Sequence, residues 1–123
     1  MIMMRRVMVV LTACVVLGGA ASLLAQDPPA YFVVTVNVTD QDGYGDYRAG
    51  FGAVFEQYGG EVVAASSDPT VLEGEWDAGT TVLIRFDSRA EALAWYNSDG
   101  YQALIRIRER AATADFILID GRP

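Results

Sequence analysis

Two glutamates beside a tryptophan, and one arginine further along the chain, are the residues of this sequence whose types could support chemistry. Glu73 and Glu75 flank Gly74 just before Trp76. A carboxylate that an aromatic ring shields from water can act as a general base. An arginine can bind an anion or stabilise a developing oxyanion. Glu73 and Arg108 are therefore the candidate catalytic residues.

Arg108 is predicted to point toward the core of the domain. It lies seven residues after Tyr101, four after Leu104 and three after Ile105, which places it on the apolar stripe of a helix. A buried guanidinium requires a carboxylate or several carbonyls to offset its lost hydration, and Glu73 is the preferred partner. Two alternatives stay open. Arg108 reaches the surface or forms a structural ion pair, or it binds an anionic or carbonyl-bearing ligand.

Four aromatic residues are candidates for the wall of a ligand pocket: Tyr47, Trp76, Trp95 and Tyr101. Tyr and Trp are large and amphipathic, so they can face a core, an interface or a ligand. Tyr47 falls on the apolar stripe of the first predicted helix. Its hydroxyl is either satisfied within the core or available as a donor in a pocket. For all four residues, packing in a core or an interface is the simpler interpretation.

The composition excludes several classes of site. The sequence contains no His and no Lys, and its one cysteine, Cys14, lies in the N-terminal segment. A disulfide, a His/Cys metal site, a Ser-His-Asp or Cys-His nucleophile pair and a Schiff-base lysine are therefore ruled out. We expect no metal and no cofactor, so any catalysis would depend on Asp, Glu, Arg, Tyr or backbone groups.

Residues 1–25 have the pattern of a secretory signal peptide. Arg5 and Arg6 precede an almost entirely apolar stretch, Val7 to Ala25, that ends in small residues. Cleavage after this stretch would export the domain to the periplasm or the exterior. Two alternatives stay open. The stretch is long enough to remain as an anchor on the outer side of the cytoplasmic membrane, and Cys14 is a candidate for lipidation.

The remaining chain is predicted to be one domain. Residues 26–30 contain two prolines and form a short stiff linker, and residues 31–121 are enough chain for one modest core. All 16 acidic residues follow the signal, so without Arg5 and Arg6 the net charge is −9. Such a charge repels nucleic acid and anionic lipid. We expect no nucleic-acid partner, and contact with a membrane only through the N-terminal segment.

The hydrophobic periodicity predicts the element order β-α-β-β-α-β, with the second helix split in two. Alternation of period two indicates strands, and apolar steps of three and four indicate helices. This order predicts an α+β ferredoxin-like plait, a four-stranded antiparallel sheet with helices on one face. The bare face would carry apolar residues, which predicts a homodimer formed sheet against sheet. The predicted strands are 31–38, 61–66, 80–86 and 115–120, and the predicted helices are 44–58, 89–96 and 99–112.

The Glu-Gly-x-Trp motif at 73–76 and the Trp-Tyr-x-Ser-x-x-Tyr-Gln motif at 95–102, in this order, resemble those of the domain-of-unknown-function family numbered 1330. The resemblance implies the dimeric α/β-barrel superfamily, which includes cofactor-independent monooxygenases, muconolactone isomerases and heme enzymes. Fold alone does not choose among these activities, and the absence of His argues against heme ligation by histidine. The matching residues are Asp40, Tyr44, Tyr47, Gly59-Gly60, Leu72-Glu73-Gly74-x-Trp76, Ala94-Trp95-Tyr96-x-Ser98-x-x-Tyr101-Gln102, Arg108 and Gly121.

Three functional hypotheses follow. The first is an exported homodimer that binds a small organic ligand in a pocket between the sheet and the helices. The second is a cofactor-independent, isomerase- or monooxygenase-like enzyme in which Glu73 accepts a proton and Arg108 stabilises an oxyanion. The third is a structural or interaction module in which the same residues serve only folding and dimerisation.

Overall fold

A computed structural model describes residues 27–123, which form four strands and three helices. The predicted signal segment, with Cys14, lies outside the described residues. No helix within residues 27–123 is both long and apolar enough to cross a bilayer. The elements are β1 (Ala30–Val38), α1 (Gln41–Phe55) with a 3₁₀ turn (Glu56–Tyr58), β2 (Glu61–Ser66), β3 (Thr80–Phe86), α2 (Arg89–Tyr96), α3 (Asp99–Ala111) and β4 (Ala112–Asp120).

The strands form one antiparallel sheet in the order β2-β3-β1-β4. The central strand β1 pairs with β3 from Ala30↔Phe86 onward and with β4 from Ala30↔Asp120 onward. The edge strand β2 is irregular, because its register shifts between Val62 and Ala64. The predicted ferredoxin-like α+β fold is confirmed, including the split of the second helix.

Polar side chains set where the three helices begin. Asp40, Ser88 and Ser98 each accept a hydrogen bond from the backbone N–H three residues later, at 3.2, 3.1 and 3.2 Å. These are N-caps, which satisfy amide groups that the helix itself leaves without partners. The Asp40 cap starts α1 at Gln41, ahead of the predicted start at Tyr44.

The last strand begins earlier than its sequence indicates. Residues 112–114 are Ala, Thr and Ala, which have no strong preference for a strand, yet β4 starts at Ala112 directly after α3. Pairing with β1 decides the conformation, since Val38 lies opposite Ala112. The carbonyl of Ala111 also accepts hydrogen bonds from the backbone N–H groups of Thr39 and Asp40. This contact ties the end of α3 to the start of α1.

The core lies between the helices and one side of the sheet. Trp95, Tyr101 and Phe86 are its largest fully buried side chains, and they pack in mutual contact with Phe32 and Phe55. Aromatic pairs of this kind contribute about 0.5–1.5 kcal/mol each beyond the area that they bury.

The other side of the sheet, here called the open face, is not covered by any described helix. Ile117 and Ile119 are 56% and 47% exposed there, and they lie beside Val33 and Tyr31 in the register of β1 and β4. Leu83 of β3 extends the same apolar surface. A contiguous apolar surface on a soluble domain commonly marks an interface.

Candidate ligand-binding site

An open cleft of about 440 Å³ lies between α1 and the helix-facing side of the sheet. Ligand sites are typically concave and mostly apolar, with a few polar groups that fix orientation, and the cleft has this character. Its polar side chains are Tyr44, Tyr47, Arg48, Ser66, Ser67 and Thr80, and none of its lining residues is Asp or Glu. Its apolar walls are Val34, Val36, Phe51, Val62, Ala65, Val82, Ile84 and Phe116.

The cleft exists because α1 packs along α3 rather than flat on the strands. Gly50 permits this contact, since a Cβ at that position would lie 2.6 Å from Cδ2 of Leu104. The aromatic side chains of Tyr47 and Phe51 then extend from α1 toward the sheet, whereas β2 stays exposed along most of its length. The gap between the helix backbone and β2 is the mouth of the cleft.

Arg108 is buried beside the cleft, with only 6% of its surface exposed. Its Nη1 donates a hydrogen bond of 2.9 Å to the hydroxyl of Tyr101. Its guanidinium carbon lies 4.3 Å from the ring centroid of Phe116 and 5.6 Å from that of Tyr47. Both rings line the cleft, whereas Arg108 does not. The guanidinium therefore packs against the buried side of the cleft wall.

No carboxylate neutralises Arg108 within residues 27–123. The ion pairs in this part of the chain join Arg85 to Asp87 and Arg89 to Asp120, both at the surface. Two weaker effects offset the lost hydration of Arg108. Its position in the last turn of α3 places a cation at the negative end of the helix dipole, and the faces of two aromatic rings attract the guanidinium. Each effect contributes only about 0.5–2 kcal/mol, which is less than the hydration that a buried guanidinium loses.

The predicted pairing of Glu73 with Arg108 is wrong. Glu73 is exposed in the connection between β2 and β3. Three residues later, the indole N–H of Trp76 donates a hydrogen bond of 2.8 Å to Oγ1 of Thr81. Thr81 alternates with the buried residues of β3 and therefore lies on the open face. This contact places Trp76 on the open face, whereas Ser67 at the start of the same connection lines the cleft. Glu73 itself is not among the cleft residues.

Tyr47 and Tyr101 form a buried pair of phenols. Their hydroxyl oxygens are 2.8 Å apart, and their side chains are 6% and 0% exposed. Burial raises the pKa of both hydroxyls above the ordinary value of tyrosine, and the charge of Arg108 opposes that rise. Both phenols therefore stay protonated at neutral pH.

Trp95 supports this pair from the core. Its ring centroid lies 4.0 Å from that of Tyr101, and the side chain is fully buried. The indole N–H has no hydrogen-bond partner among the described residues. Trp95 does not line the cleft, so it fixes the position of Tyr101 and is not placed to contact a ligand.

The structure thus brings together four of the six residues singled out from the sequence. Tyr47, Tyr101 and Arg108 are joined by hydrogen bonds, and Trp95 packs behind them. Glu73 and Trp76 are not part of this group.

Three residues of the site were missed: Tyr44, Arg48 and Phe116. Tyr44 precedes Tyr47 by one helical turn, a spacing that could have placed it on the same face. Arg48 and Phe116 carry no comparable signal.

The arrangement can bind but offers little for proton abstraction. Arg108 supplies only N–H donors, and the phenols are protonated. No carboxylate lines the cleft, and no group of three or more potential metal ligands occurs within residues 27–123. Hydrogen-bond donors behind an apolar cleft suit a carbonyl, carboxylate, phenolate or enolate oxygen on an apolar molecule.

The family model described as a domain of unknown function (DUF1330) matches residues 29–122, and the chain belongs to this family. No curated protein matches the sequence. The family confirms the resemblance drawn from the motifs around Trp76 and Trp95.

Solved structures show the same fold at low sequence identity. A protein of unknown function from Rhodopseudomonas palustris has a TM-score of 0.64 at 19% identity, covering 80% of this chain and 85% of that one. SnoaB, a cofactor-independent oxygenase from Streptomyces nogalater, has a TM-score of 0.54 at 16% identity, covering 78% and 95%. A dimeric ferredoxin-like protein of unknown function from Thermobifida fusca has a TM-score of 0.52 at 10% identity, covering 80% and 95%.

Proposed function

We propose that this member of the DUF1330 family binds a small organic molecule that combines a flat apolar body with an anionic or carbonyl oxygen. The observation that carries the proposal is the buried guanidinium of Arg108, which lacks a carboxylate partner among the described residues and lies directly behind the wall of an apolar cleft. A bound anionic oxygen would bring a negative charge close to Arg108, which the described carboxylates do not.

The electrostatics of the cleft favour such a ligand over a cation. The described residues include all 16 acidic side chains of the sequence, yet none of them lines the cleft. Arg48 lies at the cleft and Arg108 beside it, so the charged side chains nearest the cleft are cationic although the protein is strongly acidic. Fields of this kind select ligands by charge and guide them to the site.

The walls favour an aromatic or other flat body. Phe51, Phe116 and Tyr47 present rings to the cleft, and aliphatic side chains of β1 and β3 form its floor. A volume of about 440 Å³ falls in the range of small-molecule sites. Naphthalene-sized compounds are therefore suitable probes.

Calorimetry with 2-naphthoate tests the proposal. We expect wild-type protein to bind it, and Arg108→Met to bind it roughly ten- to a hundredfold more weakly, because the variant removes a buried positive charge beside the cleft. Arg106→Met is the matched control, because Arg106 is exposed on the same helix. Equal affinities for the wild type and Arg108→Met would contradict the proposal, as would a failure of the wild type to bind.

A second candidate is a cofactor-independent enzyme, which the likeness in fold to the oxygenase SnoaB favours. Here the donors beside the cleft would stabilise the oxyanion of a bound phenol or enol. Glu73 is not placed to act as the base, since it is exposed and does not line the cleft. Oxidation of 1-naphthol to a naphthoquinone would take one oxygen atom from O₂ into the product and release the other as water. An oxygen electrode measures this reaction, and no enzyme-dependent uptake is the result that removes this candidate.

We further propose a homodimer through the open face, in the periplasm or outside the cell. The exposed Ile117 and Ile119 support the dimer, as does the Thermobifida neighbour, which is described as dimeric. The apolar N-terminal sequence supports export, with a membrane-anchored form as the alternative. Light scattering should give twice the chain mass for the wild type, and a single chain mass for the double variant Ile117→Glu/Ile119→Glu.

A further inference from the structure

We infer that the Tyr47 hydroxyl is the donor that contacts the ligand oxygen, and that Tyr101 and Arg108 are positioning residues that aim and polarise it. The inference rests on the proposed function and deepens it, since it names the contacting atom and requires a ligand with an oxygen acceptor. The three side chains form one chain of hydrogen bonds, from Arg108 through Tyr101 to Tyr47.

The direction of the first hydrogen bond is fixed by chemistry. A guanidinium has N–H donors and no acceptor. The contact of 2.9 Å between Nη1 of Arg108 and the hydroxyl of Tyr101 therefore uses the phenol oxygen as the acceptor. The hydroxyl proton of Tyr101 must point somewhere else.

The second hydrogen bond follows by accounting for that proton. Tyr101 is fully buried, and its hydroxyl has two hydrogen-bond partners in the part of the chain that the structure describes, Arg108 and Tyr47. Arg108 cannot accept a proton. If Tyr47 donated instead, the Tyr101 proton would be buried without a partner, which costs about 1–3 kcal/mol. Tyr101 therefore donates to Tyr47 across the 2.8 Å contact.

The free proton thus belongs to Tyr47, because its oxygen accepts from Tyr101. Within residues 27–123 the Tyr47 hydroxyl is bonded to Tyr101, and the Arg108 guanidinium also acts on it as a donor. Neither group can accept the Tyr47 proton, since Tyr101 already donates and a guanidinium has no acceptor. Tyr47 lines the cleft, whereas Tyr101 and Arg108 lie behind it. The cleft is the direction in which this proton can find an acceptor. Each donor in such a chain polarises the next, so the charge of Arg108 strengthens the O–H group of Tyr47.

This arrangement sets the chemistry of the ligand. A carbonyl, carboxylate, phenolate or enolate oxygen can accept from Tyr47, and an ammonium group cannot. The remaining cleft phenol, Tyr44, has no side-chain hydrogen bond within the described residues and receives no polarisation from Tyr101. The matched control for Tyr47→Phe is Tyr58→Phe, because Tyr58 lies outside the cleft, in the 3₁₀ turn after α1.

Infrared spectroscopy of a bound ketone tests the donor directly. The probe is 2-acetylnaphthalene, which carries a neutral carbonyl acceptor on the same body as 2-naphthoate. We expect its C=O stretch to move to lower frequency on binding the wild type and Tyr58→Phe. The shift should disappear with Tyr47→Phe and shrink with Tyr101→Phe. Affinity for 2-acetylnaphthalene should fall roughly three- to tenfold with Tyr47→Phe, the loss of one neutral hydrogen bond.

The outcomes separate this inference from the proposed function. Failure of the wild type to bind either naphthalene probe would overturn both. The inference alone would be overturned if 2-naphthoate binding depends on Arg108 while 2-acetylnaphthalene shows the same C=O shift in Tyr47→Phe as in the wild type. Tyr47→Phe leaves the Tyr101 proton without an acceptor and could unfold. The double variant Tyr47→Phe/Tyr101→Phe removes both hydroxyls and should likewise show no carbonyl shift.

Discussion

The buried cluster of Tyr47, Tyr101 and Arg108 and the connection that carries Glu73 and Trp76 had equal claims to function from the sequence. The structure places the buried cluster on the helix side of the sheet and Trp76 on the open face. Arg108 is 6% exposed with no ion-pair partner in residues 27–123, whereas Trp76 is 50% exposed and Glu73 is open to solvent. The first region is the one that we propose to bind a ligand, and the second presents a half-exposed tryptophan to solvent.

The difference between the two regions shows what hydrophobic periodicity can and cannot predict. Arg108 shares a helical stripe with Tyr101, and residues at this spacing share a face in any α-helix. Its burial was therefore predictable. The connection between β2 and β3 has no period, so the sequence carried no information on which side of the sheet it would lie.

Substitution of the two tryptophans by alanine should distinguish the two regions most strongly, by the loss in the free energy of unfolding. Trp95→Ala is expected to lower the free energy of unfolding by about 3–5 kcal/mol, because it leaves a cavity among packed rings. Trp76→Ala should cost less than about 1 kcal/mol in the monomer, since the half-exposed indole loses one hydrogen bond to Thr81. Urea denaturation at low protein concentration measures both. Equal losses would mean that the connection belongs to the core.

Substitution of the two charged candidates should separate binding from stability. Arg108→Met is expected to weaken binding of 2-naphthoate while leaving the free energy of unfolding unchanged or higher, because it removes a buried charge that has no carboxylate partner. Glu73→Gln should change neither quantity. Calorimetry and urea denaturation on the same preparations give both numbers. A clear loss of binding in Glu73→Gln would restore the connection to the site.

The free energy of unfolding should fall at alkaline pH because of the buried phenols. The pKa values of Tyr47 and Tyr101 are raised in the folded state, chiefly by burial. Their contribution to stability is therefore complete below about pH 10, the unfolded pKa, and is lost as the pH rises further. Each group should reduce the free energy of unfolding by about 1.4 kcal/mol per pH unit in that range. Burial also raises the pKa of Tyr44, so Tyr101→Phe should keep only the shares of Tyr44 and Tyr47. An unchanged slope would contradict the assignment.

The fold was predictable because its elements carry strong local signals. Ser88 and Ser98 mark helix starts, and Phe32, Val34 and Val36 alternate along β1. The start of β4 at Ala112 was not predictable, because small residues have no preference that outweighs pairing with β1. The absence of a carboxylate beside Arg108 also could not be predicted, since it depends on distances between elements far apart in the chain.

A crystal structure of the protein soaked with 2-naphthoate tests the central claim most directly. We expect the naphthalene ring to lie between α1 and the sheet. A carboxylate oxygen should lie within hydrogen-bond distance of the Tyr47 hydroxyl, about 2.6–3.0 Å. A naphthoate bound on the open face, or in the cleft with its carboxylate turned away from Tyr47 and Arg108, would contradict it.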